Sequence, residues 1–347
     1  MPRALPALLA LFLLAALPLQ AQPAAKTADE QWSDLVQLAK SLPRAASTRA
    51  EAAPAKAAQK AYLRTVAREA EKFTRDHPAH PQAAEARRWK AKSDLTAALL
   101  GAEAPTATEA ALATEVRRDA RLPVAARYEV AFLAEMAGET ARHLKDRAAA
   151  LAAREQSART LIAEFPGQPG GYGLLLQVAG RGTGASAATA ARDLLASAAP
   201  SDIKAAAQDL LDRQALVGQT LATATAGVLG AAQVFEPARD KPLILYTWSP
   251  GNPGSIGLAK ELARLAPAGA VIIGLNLGRD VPAAQAVAAQ LPGVQLYDSR
   301  GFDSPLVRPL RLTTAPLVIL VDRSGVIRST DAQNDLAAQL AGLGGPR

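Results

Sequence analysis

The residues best placed for chemistry lie at a strand-to-helix junction, Asn252-Pro253-Gly254-Ser255. Ahead of them, Pro242 to Trp248 is a short apolar run of the kind a central buried strand shows. Ser249-Pro250-Gly251 breaks that run. Asn252 then suits a helix N-cap and Pro253 the first helical position. Free backbone N–H groups and the positive end of a helix dipole meet at such a junction, and ligands of α/β sheets collect beyond the carboxyl ends of the strands. The side chains on offer are an amide, Asn252, and a hydroxyl, Ser255. The amide does not ionise, and Ser255 has no His or carboxylate close in sequence to serve as its base. The three histidines, His77, His80 and His143, all lie far upstream. The 347 residues include no cysteine. Thiolate, mixed-disulfide and sulfenic acid chemistry are therefore closed, and so is a thiolate zinc cluster.

Other candidates carry less. Asp76, His77 and His80 hold metal-binding side chains, but they sit in a Pro-rich turn without a completed ligand set, and no metal is expected. Gly180-Arg181-Gly182-Thr183-Gly184 is glycine-rich, yet it joins two helical stretches, follows no strand and lacks the Lys-Ser/Thr ending of a phosphate loop. Ser201-Asp202-Ile203-Lys204 has a Ser-x-x-Lys spacing but reads as an N-cap and its first turn. Glu85, Arg87, Arg88, Lys90 and Lys92 make a solvated helix face.

The segment from Lys241 to Ser255 resembles the active-site segment of thioredoxin-fold proteins, in particular the TlpA-like thiol–disulfide branch. In that family a strand ends in Phe-Trp, a short spacer follows, and Cys-x-x-Cys opens the helix. Here Thr247 and Trp248 stand at the strand end, and Asn252-Pro253-Gly254-Ser255 falls where Cys-x-x-Cys would be. Both sulfurs are missing. Thr314-Ala315-Pro316 carries the resemblance a second time, because thioredoxin folds place a cis-proline opposite the helix start. The resemblance implies a cis bond at Pro316. It also implies a groove between residues 252–255 and Ala315–Pro316, flanked by Trp248, where a peptide strand pairs with the backbone before the proline. A peptide or partner loop could dock there without sulfur chemistry; the plainer reading keeps the groove as scaffold only.

Stepping out from the junction, the period of the chain divides it in two. Residues 22–215 follow helical spacing, as in Trp32, Leu35, Val36 and Ala39, with Pro43 ending that helix. Helices are predicted near 49–76, up to Gly101, 106–121, 124–137, 139–164, 171–179, 186–198 and 202–215. Leu144, Leu151, Ala158 and Phe165 repeat every seven residues. Phe73 to Pro81 is echoed by Leu161 to Pro169, each a helix end followed by Pro-x-x-Pro and another helix. The echo resembles the turn of tetratricopeptide-like repeats, which stack hairpins because one hairpin cannot bury its own apolar face. From 216 to 347 strands alternate with helices. Leu216–Leu221 and Ala232–Phe235 are predicted as an opening hairpin. Strands follow at 270–277, 294–297, 316–322 and 326–329, helices at 253–265 and 280–291, a helical turn at 304–309 and a last helix at 331–343. This order predicts a thioredoxin-like α/β domain, a central mixed sheet with helices on both faces, behind an all-α helical-hairpin domain.

Residues 1–21 read as a signal peptide: Arg3, an apolar stretch from Ala4 to Leu17, and a cleavage site ending at Ala21. The apolar stretch is short for a bilayer span, and none is expected after cleavage. Export to the periplasm or extracellular space follows. Net charge is +7 with both signs plentiful. No basic face with stacking aromatics appears, so nucleic acid is not an expected partner. A cofactor is not expected either. The reading is an exported, non-catalytic binding or scaffold module with a protein or peptide partner. The alternatives are a TlpA-like oxidoreductase that relies on a partner's cysteines and a purely structural element.

Overall fold

The computed structural model describes residues 26–41, 43, 51–142, 145–225, 234–298 and 300–343. Among the described residues, nine helices fill the first part: α1 Ala28–Lys40, α2 Ala52–Asp76, α3 Ala83–Gly101, α4 Ala107–Arg118, α5 Val124–Ala141, α6 Arg147–Glu164, α7 Pro169–Arg181, α8 Gly184–Ala196 and α9 Ser201–Gln214. Their starts follow local chemistry. Thr27 with Glu30 and Thr106 with Glu109 form reciprocal capping boxes, and Asp146 accepts from the N–H groups of Ala148 and Ala149. Alanine lines the contacts; Ala70, Ala86, Ala131, Ala158 and Ala190 are fully buried, which lets helices approach closely.

Helices α2 and α3 pack as one hairpin, α6 and α7 as another. The echoed sequence turns the chain identically in both. His77 has φ −133 and ψ 57 and donates to Phe73 O at 2.8 Å; Phe165 has φ −132 and ψ 64 and donates to Leu161 O at 2.8 Å. Ion pairs brace successive helices. Arg64 reaches from α2 to Asp94 and Glu109, Arg88 from α3 to Glu129, Arg117 from α4 to Glu135 and Glu164, and Arg159 from α6 to Asp193.

Two local expectations are corrected here, the start of α6 and the cap of α9. Helix α5 runs on to Ala141, and α6 begins at Arg147 rather than Glu139, because Asp146 caps the new helix. Of the seven-residue stripe, Ala158 and Phe165 are buried and Leu151 is half-buried, while Leu144 lies outside the described residues. Ser201 is the first residue of α9, and Pro200 is its cap.

The opening hairpin is not formed as predicted. Residues 216–221 make no strand. Gly218 takes φ +90, which breaks an extended run, and Thr220 caps a short helix, α10 Leu221–Ala224. The segment still touches the sheet edge: Gly218 N–H donates to Ile327 O at 2.9 Å and Leu221 N–H to Gly325 O at 2.8 Å. Of Ala232–Phe235, Val234 and Phe235 are helical; Ala232 and Gln233 lie outside the described residues.

The sheet contains β1 Leu243–Trp248, β2 Val271–Asn276, β3 Val294–Tyr297, β4 Val318–Val321 and β5 Ile327–Ser329. Its order is β3-β2-β1-β4-β5, with β1 central; β2 and β3 run parallel to it, and β4 pairs antiparallel with both β1 and β5. Three helices belong to it, α11 Pro253–Leu265, α12 Val281–Ala288 and α13 Leu336–Leu343. Period-two alternation sorts β1 between two cores. Ile244, Tyr246 and Trp248 pack with Ala259, Leu262, Ala284 and Leu340 from these helices. Leu243 and Leu245 face Leu221 of α10 and the turns bearing Val307, Leu310 and Leu312. This is a thioredoxin-like mixed sheet behind a mostly helical part.

The two parts touch through polar contacts. The Arg213 guanidinium, 1% exposed, donates to Asp331 Oδ1 at 3.0 Å and to Arg311 O at 3.1 Å. Arg311 in turn pairs with Asp212 of α9 at 3.2 Å. The Asn334 amide donates to Gly180 O at 3.0 Å and Gly182 O at 3.3 Å, capping the end of α7. Among the described residues no helix is long and apolar enough to cross a membrane.

Candidate functional site

The junction forms because β1 runs out of apolar residues at Trp248 and α11 starts five residues later. Asn252, in extended backbone, caps α11: its Oδ1 accepts from Ser255 N–H at 3.2 Å. Pro253 occupies the first helical position, where no N–H is needed. The Asn252 Nδ2 donates to Ala315 O at 2.8 Å. One side chain thus satisfies the helix start and a carbonyl on the facing loop.

That loop is held from below. Thr247 Oγ1 accepts from Leu317 N–H at 2.8 Å and donates to Thr314 O at 3.0 Å, and Thr247 N–H donates to Leu317 O at 2.9 Å. The Ala315–Pro316 peptide bond is cis. Residues 252–255 and 315–316, far apart in sequence, are therefore brought into direct contact. Ala315 and Pro316 are half-buried, and Pro253 and Gly254 are exposed. The Ala315 carbonyl is occupied by Asn252. Its N–H has no partner among the described residues.

Ser255 is fully buried, and its hydroxyl is spent on local backbone: it donates to Asn252 O at 2.7 Å and accepts from Ser249 N–H at 3.2 Å. Trp248, expected to flank a binding surface, is instead packed in the core. Its ring is fully buried against Tyr297, with centroids 6.4 Å apart, and its Nε1 finds no acceptor. On β1 the neighbouring Tyr246 phenol is pushed up to about 12 by burial, against the opposing bond from Gln295. It stays protonated at neutral pH and donates to Pro292 O at 3.3 Å and Gln295 Oε1 at 3.1 Å.

No described acid, base or nucleophile completes the site. Ser255 Oγ is bonded only to Ser249 and Asn252 backbone. The His80 ring sits 3.1 Å from Asp29 of α1, and His77 packs on Phe73. His143 lies outside the described residues. No group of three or more His, Asp or Glu among the described residues could hold a metal ion. Gly180 to Gly184 connects α7 to α8 and gives its carbonyls to Asn334. Sequence reasoning did not find Thr247 as the tie to the loop, nor Arg213 and Asn334 as the joints between the two parts. A β-branched hydroxyl at a strand end was the one local signal for Thr247.

No protein-family model matches the chain, and no curated protein matches it. Solved structures with detectable likeness include three thioredoxin-type proteins. One is MTB DsbF, 26% identical, covering 31% of this chain and 84% of that one, with a TM-score of 0.26. Another is a secreted Mycobacterium tuberculosis disulfide oxidoreductase homologous to E. coli DsbE, 19% identical over 31% and 86%, with a TM-score of 0.26. The third is a thioredoxin-like protein from Bacteroides caccae, 14% identical over 55% and 77%, with a TM-score of 0.34.

Proposed function

We propose that this chain is an exported, non-catalytic thioredoxin-like protein that works as a binding or scaffold module of the cell envelope. The groove beside Ala315–Pro316 takes an extended peptide or partner loop, and the helical part, a tetratricopeptide-like array, adds contact surface. The observation that supports this reading is the use of Asn252 and Ser255. Where redox relatives of the TlpA-like branch carry sulfur, these side chains are hydrogen-bonded into their own framework, and the sequence has no cysteine to substitute for them. The Ala315 N–H remains for a peptide carbonyl, as in strand addition.

The test has two parts. Purified protein is assayed for reduction of an insulin disulfide, with background rate expected. A photo-crosslinking residue at the exposed position 253 is then used to capture envelope proteins, and Gly254→Trp is used to block the groove. Capture of a discrete partner that Gly254→Trp abolishes supports the proposal. Disulfide reduction above background turns the reading to an oxidoreductase working with a partner's cysteines. Capture that the block leaves unchanged moves the binding surface away from the groove.

A further inference from the structure

Several arginines of the helical part are matched to carboxylates on neighbouring helices, as Arg64, Arg88, Arg117 and Arg159 are. In one concave place the arginines outnumber the carboxylates. A crevice of about 370 Å³ lies between α6, the end of α7 and the α/β part, lined by Arg147, Arg154, Arg181, Glu139 and Asn334. Three guanidinium groups meet a single carboxylate there. Arg154 Nε–H donates to Glu139 Oε1 at 2.9 Å, while Glu139 Oε2 is buried without a hydrogen-bond partner among the described residues. Arg147 donates only to neutral acceptors, the Arg181 carbonyl and, at 2.9 Å, Asn334 Oδ1. The Arg181 side chain has no hydrogen-bond or ion-pair partner among the described residues.

Arg147 and Arg181, with Arg154, thus outnumber the one carboxylate that lines this concave space. Guanidinium presents a planar fork of donors that fits carboxylate and phosphate oxygens. We propose that this crevice binds a small oxyanion, a phosphate or carboxylate group, through Arg147 and Arg181, with Arg154 held behind them by Glu139. Asn334 comes from the α/β part and also holds the carbonyls of Gly180 and Gly182. A bound anion therefore sits against the residues that join the two parts and stabilises that junction.

The test is thermal unfolding of the full chain, titrated with inorganic phosphate in one arm and malonate in another. Sodium chloride at matched ionic strength is the reference, because exposed charges respond to salt alone. The expected result is a saturable rise in midpoint in at least one arm, since a ligand of the native state stabilises by mass action. Arg181→Gln should leave the midpoint without ligand unchanged and weaken apparent affinity tenfold or more. Arg147→Gln should weaken it similarly, and Lys56→Gln on exposed α2 should not. The phosphate and malonate arms distinguish the two kinds of anion. A rise no larger than chloride produces overturns the proposal, as does a rise that persists undiminished in Arg181→Gln.

Discussion

The amide of Asn252 donates to the carbonyl of Ala315 at 2.8 Å, across 63 residues of sequence. The same side chain caps α11 through Ser255 N–H. Asn252 is thus a structural tie between the start of α11 and the cis-proline loop, and it occupies the Ala315 carbonyl.

Asn252→Ala removes both bonds. Loss of the cap alone costs about 1 kcal/mol, and loss of the Ala315 partner adds to it. Asn252→Asp keeps the cap and favours the helix dipole, but it replaces the donor with a carboxylate facing a carbonyl. Chemical denaturation should rank the wild type above both variants, with unchanged dependence on denaturant. Equal stability of Asn252→Ala and wild type would show that the tie contributes nothing.

The double change Asn252→Cys with Ser255→Cys places sulfur at the helix start. Thiol titration after mild oxidation should find no free thiol, and disulfide reduction should rise above the wild-type background. Two free thiols persisting in a folded variant would contradict the equivalence drawn between residues 252–255 and the Cys-x-x-Cys frame.

Arg213, near the end of α9, is nearly fully buried and paired with Asp331. Arg213→Ala leaves the Asp331 carboxylate without its partner, and breaking a buried pair this way costs about 3–5 kcal/mol. The expected readout is a lower unfolding midpoint together with faster proteolysis near residue 216. Arg213→Met, which keeps the volume, should be destabilised as well, because Arg311 O also loses its donor.

Acid should erode stability in a defined window. At Asp322 burial opposes ionisation, but bonds from Ser324, Val326 N–H and Arg328 win and hold the carboxyl at about 2. At Asp119 the Arg121 side chain leads in lowering it to about 2. Both folded values lie below the unfolded carboxylate value of about 3.9. Their contribution is therefore present above pH of about 4 and is lost as pH falls towards about 2. Asp322→Asn should flatten the fall in midpoint over that window. A variant with the wild-type pH slope would remove Asp322 from the account.

The strands and helices around the groove were legible because their signals are local. The apolar run of 243–248, the Asn-Pro start of α11 and the echoed Pro-x-x-Pro turns each sit within a few residues of what they determine. The reading failed where a neighbour overrode local preference. Leu216 to Leu221 looks extended in isolation, yet Gly218 turns the chain and Thr220 starts a helix beside β5. The stretch from 139 to 164 reads as one helix by its apolar spacing, and Asp146 divides it.

The composition alone settled that this chain supplies no thiolate, since a reaction needs the atom that performs it. The order of strands and helices was likewise written in period and capping. What the linear text did not hold was which polar groups would meet. The Arg213–Asp331 pair spans 118 residues and Asn252–Ala315 spans 63. Such bonds depend on sheet order and on how α9 seats against the loop before Pro316, because a hydrogen bond is decided by positions within about 3 Å in space, and periodicity along a chain specifies only neighbours a few residues away.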